Sequence, residues 1–166
     1  GIMPGYFGYE AGQSCVGDHF AWFVENCVPE SYEQEARVRG ISIHQLLSEK
    51  LSSYKAGASG LLALDWFNGV RTPLMDFNLN GLIMGMNLLT KPEEIYLSLI
   101  EATAYGTRMI IEGFEEAGLE VKDITLSGGI PIKNEMLVQV YSDVCNRKIK
   151  VVDSTQSSAL GAAILG

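Results

Sequence analysis

From Asp123 onward the chain alternates strand, helix, strand, helix with short connections, and that alternation constrains its fold most. Asp123 to Leu126 reads as a strand and Asn134 to Cys145 as a helix. Lys148 to Val152 reads as a second strand and Ser157 to Leu165 as a second helix. Strands joined through helices by short loops are parallel and are connected by right-handed crossovers. The expected fold class is therefore α/β, with helices flanking a mixed sheet.

The upstream part is less regular. Tyr6 to Tyr9 reads as a short strand and Gln13 to Val28 as a helix. In that helix Val16, Phe20, Phe23, Val24 and Cys27 share one side. Pro29 to Arg39 reads as a charged loop. Ile41 to Lys55 reads as a helix with Ser42 as its cap, ended by Gly57 to Gly60. Leu61 to Leu64 is expected as a short buried strand, followed by turns from Asp65 to Asn80. Gly81 to Met86 is apolar and rich in glycine, which suggests a close approach to a neighbour. Thr90-Lys91-Pro92-Glu93 starts a long helix, a capping box with Pro in its first turn, and Gly118 stops it. Gly106 and Gly113 lie inside that helix at about 1 kcal/mol each against Ala. Tight packing of a neighbour is the expected compensation at both.

Composition narrows the function. Twenty acidic against twelve basic residues give a formal charge of −8, which argues against a nucleic-acid partner. No run of about 18 apolar residues exists to span a membrane. The three cysteines, Cys15, Cys27 and Cys145, form no CxxC pair and are expected as core thiols of a cytoplasmic protein. His19 and His44 stand at no zinc-ligand spacing. The absence of an initiator Met, the glycine-rich start and a helix running up to Gly166 suggest a piece of a longer chain, incomplete at both ends.

The best local signal for chemistry is Leu126-Ser127-Gly128-Gly129-Ile130-Pro131-Ile132-Lys133-Asn134. In open α/β sheets ligands bind beyond the carboxyl ends of strands. Two glycines there would let a ligand approach the backbone, and a following helix offers unpaired N–H groups. Asn134 could bond a base edge or a sugar hydroxyl, and Lys133 could add charge or point into solvent. A tight strand-to-helix turn would want the same glycines. The pattern is neither a Walker loop nor GxGxxG. Other candidates have bland readings that weigh more. Asp65, in Leu64-Asp65-Trp66-Phe67-Asn68-Gly69, could be catalytic but more often caps a turn. Glu10 and Asp18 flank a turn and could bind a sugar hydroxyl or begin a helix. Glu101 and Arg108 read as an ion-pair face, and Trp22 as core or lobe interface.

Together these segments resemble the FGGY family of carbohydrate kinases. Gly81-Leu82-Ile83-Met84-Gly85-Met86, seven residues, and then Glu94 to Glu101 resemble that family's C-terminal signature, with Leu99 in place of a smaller or β-branched residue. Ser127 to Asn134 is similar to its adenosine motif, and Ser158 to Ala163 to its final helix. Gly5 to Ser14, Gly17 to Phe23 and Leu64 to Gly69 resemble most the members that phosphorylate L-ribulose. The resemblance implies the C-terminal lobe of an actin-like, ribonuclease-H-like ATPase fold, with ATP and Mg²⁺ in a cleft against a separate N-terminal, sugar-binding lobe. It implies transfer of the ATP γ-phosphate to the 5-hydroxyl of a pentulose. Gly128, Gly129 and Asn134 match nucleotide-binding positions, and Ser59 and Gly60 match a segment near the phosphates. The Gly129-to-Asn134 spacing is one residue longer than in some members. The family's catalytic Asp and phosphate loop lie upstream of Gly1, so the chain alone is expected to be inactive. A non-catalytic actin-like module sensing nucleotide or sugar, or a family kinase for another pentose or polyol, are the alternatives. A homo-oligomer is compatible with the sequence, which does not fix the oligomeric state.

Overall fold

The computed structural model describes residues 3–154 and 156–165. Its organising element is a helix of 25 residues, Pro92–Glu116, the fourth of seven among the described residues. At 1.5 Å per residue it is about 37 Å long. Its start is sharp. Pro92 occupies the first turn, and the Glu94 carboxylate accepts the Lys91 backbone N–H at 2.8 Å. The cap position is Lys91 rather than Thr90, whose hydroxyl instead accepts the Asn87 N–H of the preceding turn at 2.9 Å.

Every residue from Tyr96 to Ala104 in this helix is buried, so its first half is covered on all sides. The cover comes from helices α1 (Gly17–Cys27) and α3 (Ile43–Lys50), strand β1 (Leu62–Leu64) and helix α6 (Glu135–Cys145). Phe20 and Phe23 of α1, Leu47 at α3, Leu97, Leu99 and Ile100 of α4 (Pro92–Glu116), and Leu137, Val140 and Val144 of α6 form one core.

Strand pairing is both antiparallel and parallel, divided between two short ladders. β1 pairs antiparallel with β2 (Leu82–Met84), Ala63 opposite Ile83. β3 (Ile124–Leu126) pairs parallel with β4 (Ile149–Val151), Leu126 opposite Val151, as the alternation of the last segment requires. Helix α5 (Gly129–Lys133) and α6 form the crossover between them, and α7 (Ser157–Leu165) follows β4. Gly166 lies outside the described residues.

Several expectations are corrected. Residues 6–9 form no strand: Tyr6, Phe7 and Tyr9 are exposed and pair with no strand among the described residues. The first helix starts at Gly17, not Gln13; the Gln13 amide instead bonds Asp65 and the Thr103 carbonyl. Pro29 to Arg39 is not a loop, since Glu30–Arg39 is helix α2. It has Glu30 and Glu33 in its first turn, Arg37 and Arg39 in its last, a Glu33–Arg37 pair at 2.9 Å, and Gly40 as a left-handed cap at φ +64°. Helix α3 ends at Lys50, short of Lys55, although Ser42 does cap it reciprocally with Gln45. Cys15 and Cys145 are buried as expected, whereas Cys27 is exposed. The close approach at Gly81 is real: a Cβ there would overlap the Phe67 ring.

Candidate functional site

The strand-to-helix turn is built from two glycines with different duties. Gly128 has φ +102°, a conformation that L side chains rarely adopt, and it lets β3 turn directly into α5. Gly129 has ordinary backbone angles, and no protein atom lies within 4 Å of where its Cβ would sit. That surface is therefore open to a ligand. Asn134 ends the turn as the N-cap of α6, its carboxamide oxygen accepting the Leu137 N–H at 3.0 Å.

Gly129, Lys133 and Asn134 line one groove of about 850 Å³. Its other walls are Gly17 and Phe20 of α1, His44 and Gln45 of α3, Tyr96 of α4, and Ile130 and Ile132 of α5. Lys133 is the only charged side chain in that lining, on a chain of formal charge −8. A neighbouring groove of about 660 Å³ shares Lys133 and Asn134 but adds Glu49, Glu135 and Asp143 against one further cation, Lys55, a poor setting for an anion. His44 Nδ1 lies 3.0 Å from the Tyr96 hydroxyl. Burial holds His44 below the ordinary imidazole range and pushes Tyr96 up to about 12, against the Asn134 amide, which acts to lower it. Both side chains are therefore neutral near pH 7. Composition and spacing gave no hint of this pair, because its members are 52 positions apart and belong to different helices. The only local signal was Ser42, whose cap fixes His44 in the first turn of α3.

The remaining candidates lie elsewhere. Gly60, at φ +70°, is outside this groove, in the turn leading to β1, where its carbonyl would stand 3.0 Å from a Cβ on Gly85. Asp65 is buried and accepts the Gln13 amide at 2.7 Å. Burial raises its carboxyl, and the Gln13 bond opposes the shift. The same amide donates to the Thr103 carbonyl at 2.9 Å, and the Thr107 hydroxyl donates to the Gln13 oxygen at 2.9 Å. Asp65 thus belongs to a buried tie between the segment before α1 and the middle of α4. Glu10 is exposed and paired with Arg71 at 2.7 Å, while Asp18 is exposed in the first turn of α1.

Glu101 and Arg108 do not pair. Glu101 is buried and accepts the Gly57 N–H at 2.7 Å, whereas Arg108 reaches Glu112 at 2.7 Å and the Val144 carbonyl at 3.1 Å. Trp22 is 42% exposed and packs at its inner edge on Phe67. No group of three His, Cys, Asp or Glu suited to a metal occurs among the described residues. No helix among them is long and apolar enough to cross a membrane.

The sequence profile of the FGGY family of carbohydrate kinases, C-terminal domain, matches residues 1–166. The chain belongs to this family. It is 57% identical to a ribulokinase of Bacillus licheniformis over 166 residues, all of this chain and 30% of that protein. It is 55% identical to a ribulokinase of Anoxybacillus flavithermus over 164 residues, 99% of this chain and 29% of that one. The chain therefore spans about a third of the length of these relatives. Among solved structures it resembles a xylulose kinase from Rhodospirillum rubrum with a TM-score of 0.76 at 24% identity, covering 92% of this chain and 29% of that one. It also resembles Plasmodium falciparum glycerol kinase with ADP, TM-score 0.69 at 23% identity, over 93% and 28% of the two chains. The fold is that of a partial C-terminal lobe of the actin-like ATPase architecture on which FGGY kinases are built.

Proposed function

We propose that this FGGY domain is the nucleotide-binding C-terminal lobe of a cytoplasmic ribulokinase, which transfers the γ-phosphate of ATP to the 5-hydroxyl of L-ribulose. The observation that carries the substrate is the 57% identity to the Bacillus licheniformis ribulokinase along the whole chain. The groove of about 850 Å³ is the nucleotide site in this reading. Gly128 forms the turn, Gly129 lets the ligand touch backbone, Lys133 supplies the cation, and Asn134 fixes the wall by capping α6. Ser59 and Gly60 take the family's position near the phosphates. ATP fits such a lining: Phe20, Ile130 and Ile132 offer apolar contact to a base, and no carboxylate lines the groove.

Mg²⁺ would ride on the triphosphate, because this domain presents no carboxylate cage among its described residues. An N-terminal lobe would bring the sugar, the base that takes the hydroxyl proton, and the phosphate loop. Closure of the two lobes would exclude water and so limit ATP hydrolysis. The domain alone is then expected to bind nucleotide without turnover.

Two experiments test this reading. The intact gene product is assayed for ATP-dependent phosphorylation of L-ribulose, D-xylulose and glycerol; preference for another of these sugars, or no transfer to any, refutes the assignment. Gly129→Leu places its Cβ in open space on the groove side, so its fold is expected to stay intact. Its ATP affinity should fall at least tenfold, and unchanged affinity would remove the groove from the nucleotide site.

A further inference from the structure

Building on the nucleotide reading above, we infer that His44 is the base-reading residue of the groove: its Nε2–H is offered to a ring nitrogen of adenine, and Tyr96 holds it in that tautomer. The Asn134 carboxamide is spent inside the protein, its oxygen accepting the Leu137 N–H at 3.0 Å. The Tyr96 hydroxyl is buried, and its one hydrogen-bond partner among the described residues is His44 Nδ1 at 3.0 Å, so it donates its proton there rather than leave that proton buried and unpaired. A neutral imidazole that accepts at Nδ1 carries its proton at Nε2. Nε2 has no hydrogen-bond partner among the described residues and is not sealed from solvent. His44 lines the groove, so the donor that remains belongs there.

The direction of this chain decides the chemistry recognised. Tyr96 is 2% exposed and Asn134 8%, so neither can turn outward to read a ligand without leaving a buried polar group unpaired. A directed donor among the apolar walls Phe20, Ile130 and Ile132 suits the acceptor nitrogens of a flat heterocycle. Adenine offers acceptors at N1, N3 and N7, and guanine replaces the first by an N–H donor. The reading of the base thus falls to a residue on α3, outside the glycine turn, and Tyr96 acts as a positioning residue behind it.

The test is calorimetric titration of the intact gene product with ATP and its 1-deaza, 3-deaza and 7-deaza analogues, each of which replaces one ring nitrogen by CH. The wild type should lose about tenfold in affinity for one of the three. His44→Phe keeps a ring but removes the donor. It should lose about as much for ATP and become indifferent to the analogue that wild type rejects. Tyr96→Phe should keep the fold and shift the His44 ¹⁵N signals away from the pure Nε2–H form. Gly129→Leu is the control on the site itself. If it abolishes binding while His44→Phe matches wild type for ATP and every analogue, the groove stands and the role of His44 is overturned. If Gly129→Leu binds as wild type does, the groove reading fails first.

Discussion

Two glycines in one helix should respond to the same substitution with opposite sign. Gly106 and Gly113 both lie in the interior of α4, where Ala is favoured over Gly by about 0.5–1 kcal/mol. At Gly113 nothing lies within 4 Å of a new Cβ. Gly113→Ala should therefore stabilise the protein by roughly that amount. At Gly106 the methyl would overlap the Gln13 amide and stand 3.0 Å from Asp65 Oδ2. The overlap itself is relieved easily, since the amide is the far end of a flexible side chain. The cost lies in what the amide then leaves: Asp65 at 2.7 Å, the Thr103 carbonyl at 2.9 Å and the Thr107 hydroxyl at 2.9 Å. A buried polar group left unpaired costs about 1–3 kcal/mol, and a carboxylate costs more. That exceeds the helix-propensity gain, so Gly106→Ala should destabilise by roughly 2 kcal/mol. Urea midpoints at constant m report both changes. Gln13→Ala removes the obstructing group, and Gly106→Ala should become close to neutral in that background. Equal midpoint shifts for Gly106→Ala and Gly113→Ala would refute the packing argument.

Acid should weaken the fold through His19. Burial holds this side chain at about 4, below its ordinary 6.5, so its contribution is complete above pH 6.5 and is lost as the pH falls toward 4. The loss amounts to about 3 kcal/mol by pH 4, and His19→Phe should flatten the pH dependence of the urea midpoint; parallel curves would contradict it. Asn134→Ala should cost about 1 kcal/mol by uncapping α6, with Asn134→Asp or Asn134→Ser restoring most of it. A thermal melt that separates none of the three variants from wild type would show that the cap is idle.

What the sequence made legible was what repeats locally. The parallel β3–β4 unit, the long helix and the Ser42 cap all announce themselves within a few residues. Helix α2 was not legible by periodicity because only Ala36 of its ten residues is buried. Its evidence lay in charge placement and the left-handed Gly40. The aromatic run at Tyr6 to Tyr9 has strand propensity but no partner strand among the described residues, and propensity without pairing forms no sheet. From the sequence Glu101 reads as part of an ion-pair face because Arg108 stands two turns away. Its true partner is a backbone N–H at Gly57, which no helical spacing could reveal. At the site, the glycine turn was legible from the chain, whereas the His44–Tyr96 contact exists only after α3 and α4 have packed.

That dependence on packing determines where the site is vulnerable. The ladders are three residues long and cannot by themselves fix a groove whose walls come from α1, α3, α4 and α5. α1 and α3 meet on the fully covered first half of α4, and α6, which Asn134 caps, packs there too. Tyr96 belongs at once to that core and to the groove wall. A cavity made beside it, for example by Leu97→Ala or Leu99→Ala, would cost about 2–5 kcal/mol of stability. It would also loosen the anchor of His44 without touching any atom that faces the ligand. Leu62–Leu64 and Leu82–Met84 supply none of the groove lining, so loss of stability in that ladder should leave nucleotide affinity of the folded fraction unchanged. The contrast between those two classes of variant follows from the placement of the site on helices rather than on strand ends alone.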